Sequence, residues 1–272
     1  MTAQLLIYES AVPVTAARHG KWSVEVGADY AFSKRVNSVP LMAVEFPNAA
    51  SEYAIVFAGT ENAVVPAVIL GMRSDENLYL TEQGGWKAKY IAAFVRRYPF
   101  VFSMSQDGKT FTLCIDESYP RFNQDGRGER LFTNDRKPTP YVERVLKFLE
   151  QYQIEFRRTQ AFCQKLKDLN LLEPMRAQAN LKSGERLSLT GFMAVNRDRL
   201  KTLPAEKLAE LAKTDELELL YLHLQSMRNF AAMVERLGGR QAAEPVEPPI
   251  APEPAPKGDK SSKGKQATRA RK

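Results

Sequence analysis

Apolar side chains recur along this chain at two different spacings, and the change from one to the other divides it near residue 135. Ahead of that point they fall in short runs separated by Pro, Gly, Asn and Asp, the arrangement of strands joined by turns. Runs at 5–9, 39–46, 53–58, 63–72, 78–80, 100–104 and 110–115 predict strands. Residues 87–97 read differently, because Tyr90, Ile91, Phe94 and Val95 cluster at helical spacing and predict a helix. Gly84-Gly85 ahead of Trp86 predicts a turn.

Beyond residue 135 the spacing is helical. After Pro138-Thr139-Pro140, where proline suits a first turn, Val142, Val145, Leu149, Tyr152, Phe156, Cys163, Leu166 and Leu169 form a stripe about seven turns long, interrupted only by Thr159. That helix is expected to end near Asn170. A short helix opened by Pro204 is predicted over 203–211, and a second long one over 215–237. The latter carries Leu217, Leu220, Leu224, Met227, Ala231 and Val234 on one face, with Leu219, Leu222, Phe230 and Met233 beside it. Apolar over more than half of its circumference, it is expected to lie deep, with Gly238-Gly239 as its stop. Between the long helices, 187–189 and 191–195 predict one strand or a small hairpin. Strands first and helices second make the fold class α+β. A β-rich half over 1–135 is expected to pack with amphipathic helices over 136–240 as a single domain.

Composition shifts abruptly after Leu237. Residues 241–272 lose nearly every large apolar side chain, so they cannot bury enough surface to offset an ordering entropy of roughly 1–2 kcal/mol per residue, and disorder is expected. The formal charge of +7 is divided between that segment and the body. Lys257 to Lys272 carries +6, the Pro/Ala-rich spacer with Glu244, Glu247 and Glu253 carries −3, and +4 remains for the body. The Lys-rich end suits a weak, salt-sensitive contact with nucleic acid or an acidic surface, but it has no aromatic residue on which bases would stack. The N-terminal apolar piece is too short for a secretory signal, and no run of eighteen apolar residues exists to span a membrane. A soluble cytoplasmic protein is the expectation.

Absences exclude several chemistries. With only His19 and His223, HExxH-type zinc chemistry is excluded and a His-based metal site would have to borrow carboxylates from distant segments; His223 among leucines reads as a core residue. GxSxG, P-loop and GxGxxG patterns are missing. Cys114 and Cys163 suit buried thiols, since a Cys nucleophile needs a neighbouring base and neither histidine is local. What remains is a concentration of aromatic and guanidinium groups, Trp86, Tyr90, Arg96, Arg97 and Tyr98, of the kind that holds planar, anionic or peptide ligands. A helix would place Trp86, Tyr90 and Arg97 on one side; the competing reading packs Tyr90 and Phe94 onto the sheet and leaves both arginines solvated. Asp116 and Glu117 are placed for a carboxylate pair or an ion pair with Arg96 or Arg97.

The runs Asn37-Ser38-Val39-Pro40, Glu45-Phe46-Pro47, Arg96-Arg97-Tyr98-Pro99-Phe100 and Cys114-Ile115-Asp116-Glu117 resemble the bacterial SapC family. The likeness continues through 138–143, 157–163, 171–174, Gly191-Phe192 and 219–224. It implies a role in assembling or exporting surface-layer protein or, from relatives encoded near outer-membrane receptors, flavin-dependent halogenases and cupin-like proteins, in an uptake system. It supplies no catalytic set. The resulting expectation is a binding or assembly protein, more a binder than an enzyme. It would hold a protein, a peptide or a small anionic ligand at Trp86, Tyr90, Arg96, Arg97, Asp116 and Glu117, with no cofactor. The alternative is an enzyme using carboxylates around Glu45, Asp116 and Glu117, with or without a metal.

Overall fold

The computed structural model describes residues 6–60, 63–105 and 107–238. The predicted tail over 241–272 lies outside them. The fold is α+β, with three antiparallel sheets among the described residues. The largest runs β10 (Leu172–Asn180), β11 (Arg186–Val195), β4 (Ile55–Thr60), β5 (Ala63–Ile69), β3 (Ser38–Pro40). A second runs β1 (Ala11–Pro13), β7 (Phe111–Asp116), β6 (Phe100–Met104), and a third β8 (Phe122–Asn123), β2 (Ser23–Val24), β9 (Glu129–Arg130). Short helices α1 (Ala16–His19), α2 (Phe46–Ala49) and α3 (Ala93–Arg96) interrupt the strands; α4 (Pro140–Asp168), α5 (Arg197–Lys201), α6 (Ala205–Lys213), α7 (Glu216–Ser226) and α8 (Asn229–Arg236) follow. No helix among the described residues is long and apolar enough to cross a membrane.

Side-chain alternation along β4 explains the layering. Ile55 and Phe57 enter one core with Phe162, Cys163 and Leu166 of α4, whereas Ala54 and Val56 enter another with Phe230, Met233 and Val234 of α8. The five-stranded sheet is thus covered on both faces. The first half of α4 extends past it, where Val142 and Leu149 pack with Phe100, Ile115 and Leu131. At about 43 Å for 29 residues, α4 is the element that joins the sheets. Thr139 caps its start by accepting from the Val142 amide at 3.5 Å. Asn170, at φ 50°, ends it, with the Leu171 amide donating to Leu166 O at 2.9 Å. Thr159 does not weaken the stripe. It is buried and accepts from the Ala43 amide at 2.9 Å, docking the chain ahead of α2.

Several predicted elements differ. Residues 6–9 form a turn, not a strand, and 78–80 contribute only a bridge between Leu80 and Trp86. The strand over 39–46 stops at Pro40 and gives way to α2. The helix over 87–97 shrinks to the single turn of α3, because the amides ahead of it bond elsewhere: Lys87 N to Tyr79 O at 2.7 Å, and Lys89 and Tyr90 N to the Glu52 carboxylate. The run over 187–195 is one strand, β11, and its partner β10 is an edge strand, where Pro174 sacrifices no ladder bond.

The long helix over 215–237 is broken between α7 and α8. Ser226 donates to His223 O at 2.6 Å and accepts from Ile55 N at 3.0 Å, and Asn229 donates to Ala50 O and Tyr53 O at 2.9 and 2.8 Å. The helix bends so that these side chains can serve the backbone around β4. His223 does the same, as the core reading of it requires: Nδ1 donates to Ile55 O at 2.9 Å and Nε2 accepts from Val195 N at 3.0 Å, which defines a neutral imidazole.

Burial pushes the His223 imidazole down to about 4. Its folded value lies below the ordinary one of 6.5, so the unfolded chain takes the proton first. This contribution to stability is therefore complete above pH 6.5 and lost as pH falls toward 4, by about 3 kcal/mol. NMR titration should show the His223 ring neutral at pH 5.5; a midpoint near 6.5 would contradict the packing described.

Candidate functional site

Trp86 stands in an aromatic cluster built on the turn at Gly84, whose φ of 82° is the left-handed conformation glycine tolerates. The indole Nε1 donates to the Tyr53 hydroxyl at 2.7 Å, and that hydroxyl donates to Tyr90 O. Tyr79 lies 4.6 Å from the Tyr53 ring, Tyr30 meets Trp86 edge-on at 5.6 Å, and the Arg236 guanidinium covers Tyr79 at 4.2 Å. Burial raises the phenols of Tyr53 and Tyr79, the latter to about 12, so both remain neutral donors. The Tyr90 hydroxyl donates to Glu45 at 2.6 Å. Trp86 and Tyr90 thus hold the irregular segment ahead of α3 against the core.

The two arginines diverge. Arg97 is buried, its guanidinium 4.3 Å from the Phe94 ring centre and 4.9 Å from that of Tyr152. Arg96 is exposed, donates through Nε to Ile91 O at 2.9 Å, and lies over Tyr90 and Phe148 at 5.9 and 5.4 Å. A common helical side for Trp86, Tyr90 and Arg97 does not exist, because no helix runs from 86 to 92. Nor are both arginines solvated.

The expected carboxylates are committed to backbone. Glu45 is buried; it accepts from Met42 N at 2.8 Å and Ala93 N at 2.7 Å. Asp116, also buried, accepts from Glu9 N at 2.8 Å, Ser10 N at 3.2 Å, and the Ser118 amide and hydroxyl at 3.1 and 2.7 Å. Burial alone would raise the Asp116 carboxyl, but these donors together hold it below the usual carboxylate range. Glu117 turns to other partners, pairing with Arg18 and accepting from His19 Nε2 at 2.8 Å, while His19 Nδ1 accepts from Thr15 N. Among the described residues Arg96 forms no ion pair with Asp116 or Glu117. Glu45, Asp116 and Glu117 take these hydrogen bonds from different segments, and among the described residues no group of three His, Cys, Asp or Glu side chains is placed to hold a metal ion. Cys114 and Cys163 are buried free thiols, and burial pushes Cys163 up to about 12.

Arg96 and Arg97 instead border a cleft of about 510 Å³, between the segment 95–100 and the first turns of α4. Tyr98 lines it from one side and Tyr141, Arg144 and Phe148 from the other. Trp86, Tyr90, Asp116 and Glu117 do not line it. Its acidic rim consists of Glu25, Asp29 and Glu129, paired with Arg127 at 3.0 Å, Arg121 at 3.5 Å and Arg144 at 3.8 Å. The exposed side chain of Val26 stands at the mouth. Tyr141, Arg144 and Phe148 fall at i, i+3 and i+7 beside the buried stripe, a signal present in the sequence but overshadowed by that stripe.

A family model described as SapC matches residues 14–233 of the 272, and the chain belongs to that family. No curated protein and no solved structure matches it.

Replacing Asp116 by Ala removes the shared acceptor of the Glu9, Ser10 and Ser118 amides, part-buried bonds worth about 0.5–1.5 kcal/mol each. A thermal melt should show the variant severely destabilised, with Asp116→Asn in between. An unchanged melting midpoint would mean the carboxylate does not hold the N-terminal segment.

Proposed function

We propose that this SapC-family chain is a binding or assembly protein that holds a peptide segment of a protein partner in the cleft between residues 95–100 and α4. The partner would come from a bacterial surface-layer or outer-membrane uptake system, as the family resemblance implies. The observation that carries the reading is the lining of that cleft. Aromatic rings of Tyr98, Tyr141 and Phe148 alternate with the guanidinium groups of Arg96 and Arg144, opposite a carboxylate rim. Rings give contact area at small entropic cost, arginine binds carboxylates in a fork, and the acidic rim receives amides or lysines. A ligand bearing both signs of charge along an extended backbone matches this better than a small anion, which Glu25, Asp29 and Glu129 would repel.

Arg96 and Arg144 are exposed, so both can be reversed in charge without opening the core. Selection of a random dodecapeptide display library on the immobilised chain should enrich peptides carrying an aromatic residue next to an acidic one. The Arg96→Glu/Arg144→Glu double variant should lose them by at least ten-fold while still unfolding cooperatively, with no more than the small drop in melting midpoint that the lost surface pair of Arg144 with Glu129 entails. Equal retention, or no enrichment by the parent chain, would remove the proposal.

A further inference from the structure

A second and larger groove, about 890 Å³, lies on the α4 side of the five-stranded sheet, beyond the C-terminal end of α4. It arises from a register shift. Met175 pairs with Phe192 and Ala177 with Leu189, so Thr190 and Gly191 of β11 oppose the single Arg176 of β10. Gly191 adopts φ 83°, the left-handed conformation that characterises a glycine bulge. β11 pairs with β4 only through Phe192 and Met193, so beyond the bulge the β10–β11 hairpin parts from the sheet. The groove occupies the corner this leaves. Bulges re-aim side chains, and the residue opposite this one is a cation.

Val64, Leu172 and Met193, which belong to the core on the α4 side, give the groove an apolar lining, and methionine adapts readily to a flexible chain. Arg176 of β10 and Lys167 of α4 both line it. No carboxylate appears among the described lining residues, in contrast to the other cleft. Arg176 makes no ion pair among the described residues, and its Nε is shut off from solvent without a hydrogen-bond acceptor. A buried donor left this way is costly, and an anionic oxygen would relieve it. A volume within the usual range for ligand pockets, an apolar body and one buried cationic donor together specify a monoanionic amphiphile.

We infer that this groove binds an alkyl carboxylate, a medium-chain fatty acid in its simplest form, with the carboxylate on Arg176 and the chain along Val64, Leu172 and Met193. A planar carboxylate matches the guanidinium fork. This goes beyond the peptide cleft and does not depend on it.

Dodecanoate below its micellar concentration, titrated calorimetrically into the full chain, should bind saturably at one site. Dodecyltrimethylammonium, with the same tail and opposite charge, should not. Arg176→Gln should weaken dodecanoate at least ten-fold and Arg176→Lys less, whereas Arg96→Glu/Arg144→Glu should leave it unchanged. Independently of how any variant folds, a diazirine-bearing dodecanoate should label the parent chain within 170–176 and 190–193. Absence of saturable binding, equal binding of the cation, or labelling confined to 95–100 and 141–148 would overturn the inference.

Discussion

Buried backbone groups that belong to no ladder are the constraint on which this structure depends. Much of the chain ahead of α4 is irregular yet packed, so its amides cannot be left to water and must find acceptors. The buried Glu45 provides them for Met42 and Ala93, while Glu52 and Asp116 fasten the more exposed segments at Lys89 and Tyr90 and at Glu9, Ser10 and Ser118. Around β4 the polar side chains of His223, Ser226 and Asn229 play the same part, on the faces of α7 and α8 turned toward the sheet. A carboxylate accepting several amides is stabilised as an anion in place, which is why acidic residues tolerate burial here.

This explains how far the sequence was legible. The long stripe of α4, the short helix opened by Pro204, and the strands at 53–58, 63–72, 100–104 and 110–115 could be read because periodicity and packing agree there. β10 was hidden: Ala177 and Ala179 fill its buried positions, alanine is a poor strand former, and Pro174 interrupts it. Tertiary hydrogen bonds from Ser226 and Asn229 broke a helix that periodicity alone would continue. Glu45, Asp116 and Glu117 looked chemical because a sequence cannot display which amides a carboxylate will meet. Of the aromatic and arginine group, Arg96, Arg97 and Tyr98 reached a cleft, while Trp86 and Tyr90 were drawn into the core network.

With those groups assigned to architecture, the surface chemistry sorts into two kinds. Near the start of α4, rings and arginines face a carboxylate rim, and the charges balance. Past its end, an apolar groove holds cations without described acids among its lining residues. Because α4 contributes residues to both clefts and also carries Phe162 and Leu166 into the main core, the helix that organises the fold also sets the spacing between them.

Native-state hydrogen exchange at single-residue resolution bears most directly on the claim that buried carboxylates hold the irregular backbone. The amides of Met42 and Ala93, both bonded to the buried Glu45, should exchange as slowly as those of β4, although Met42 lies in no strand or helix. Exchange at the rate of open loops would contradict the account.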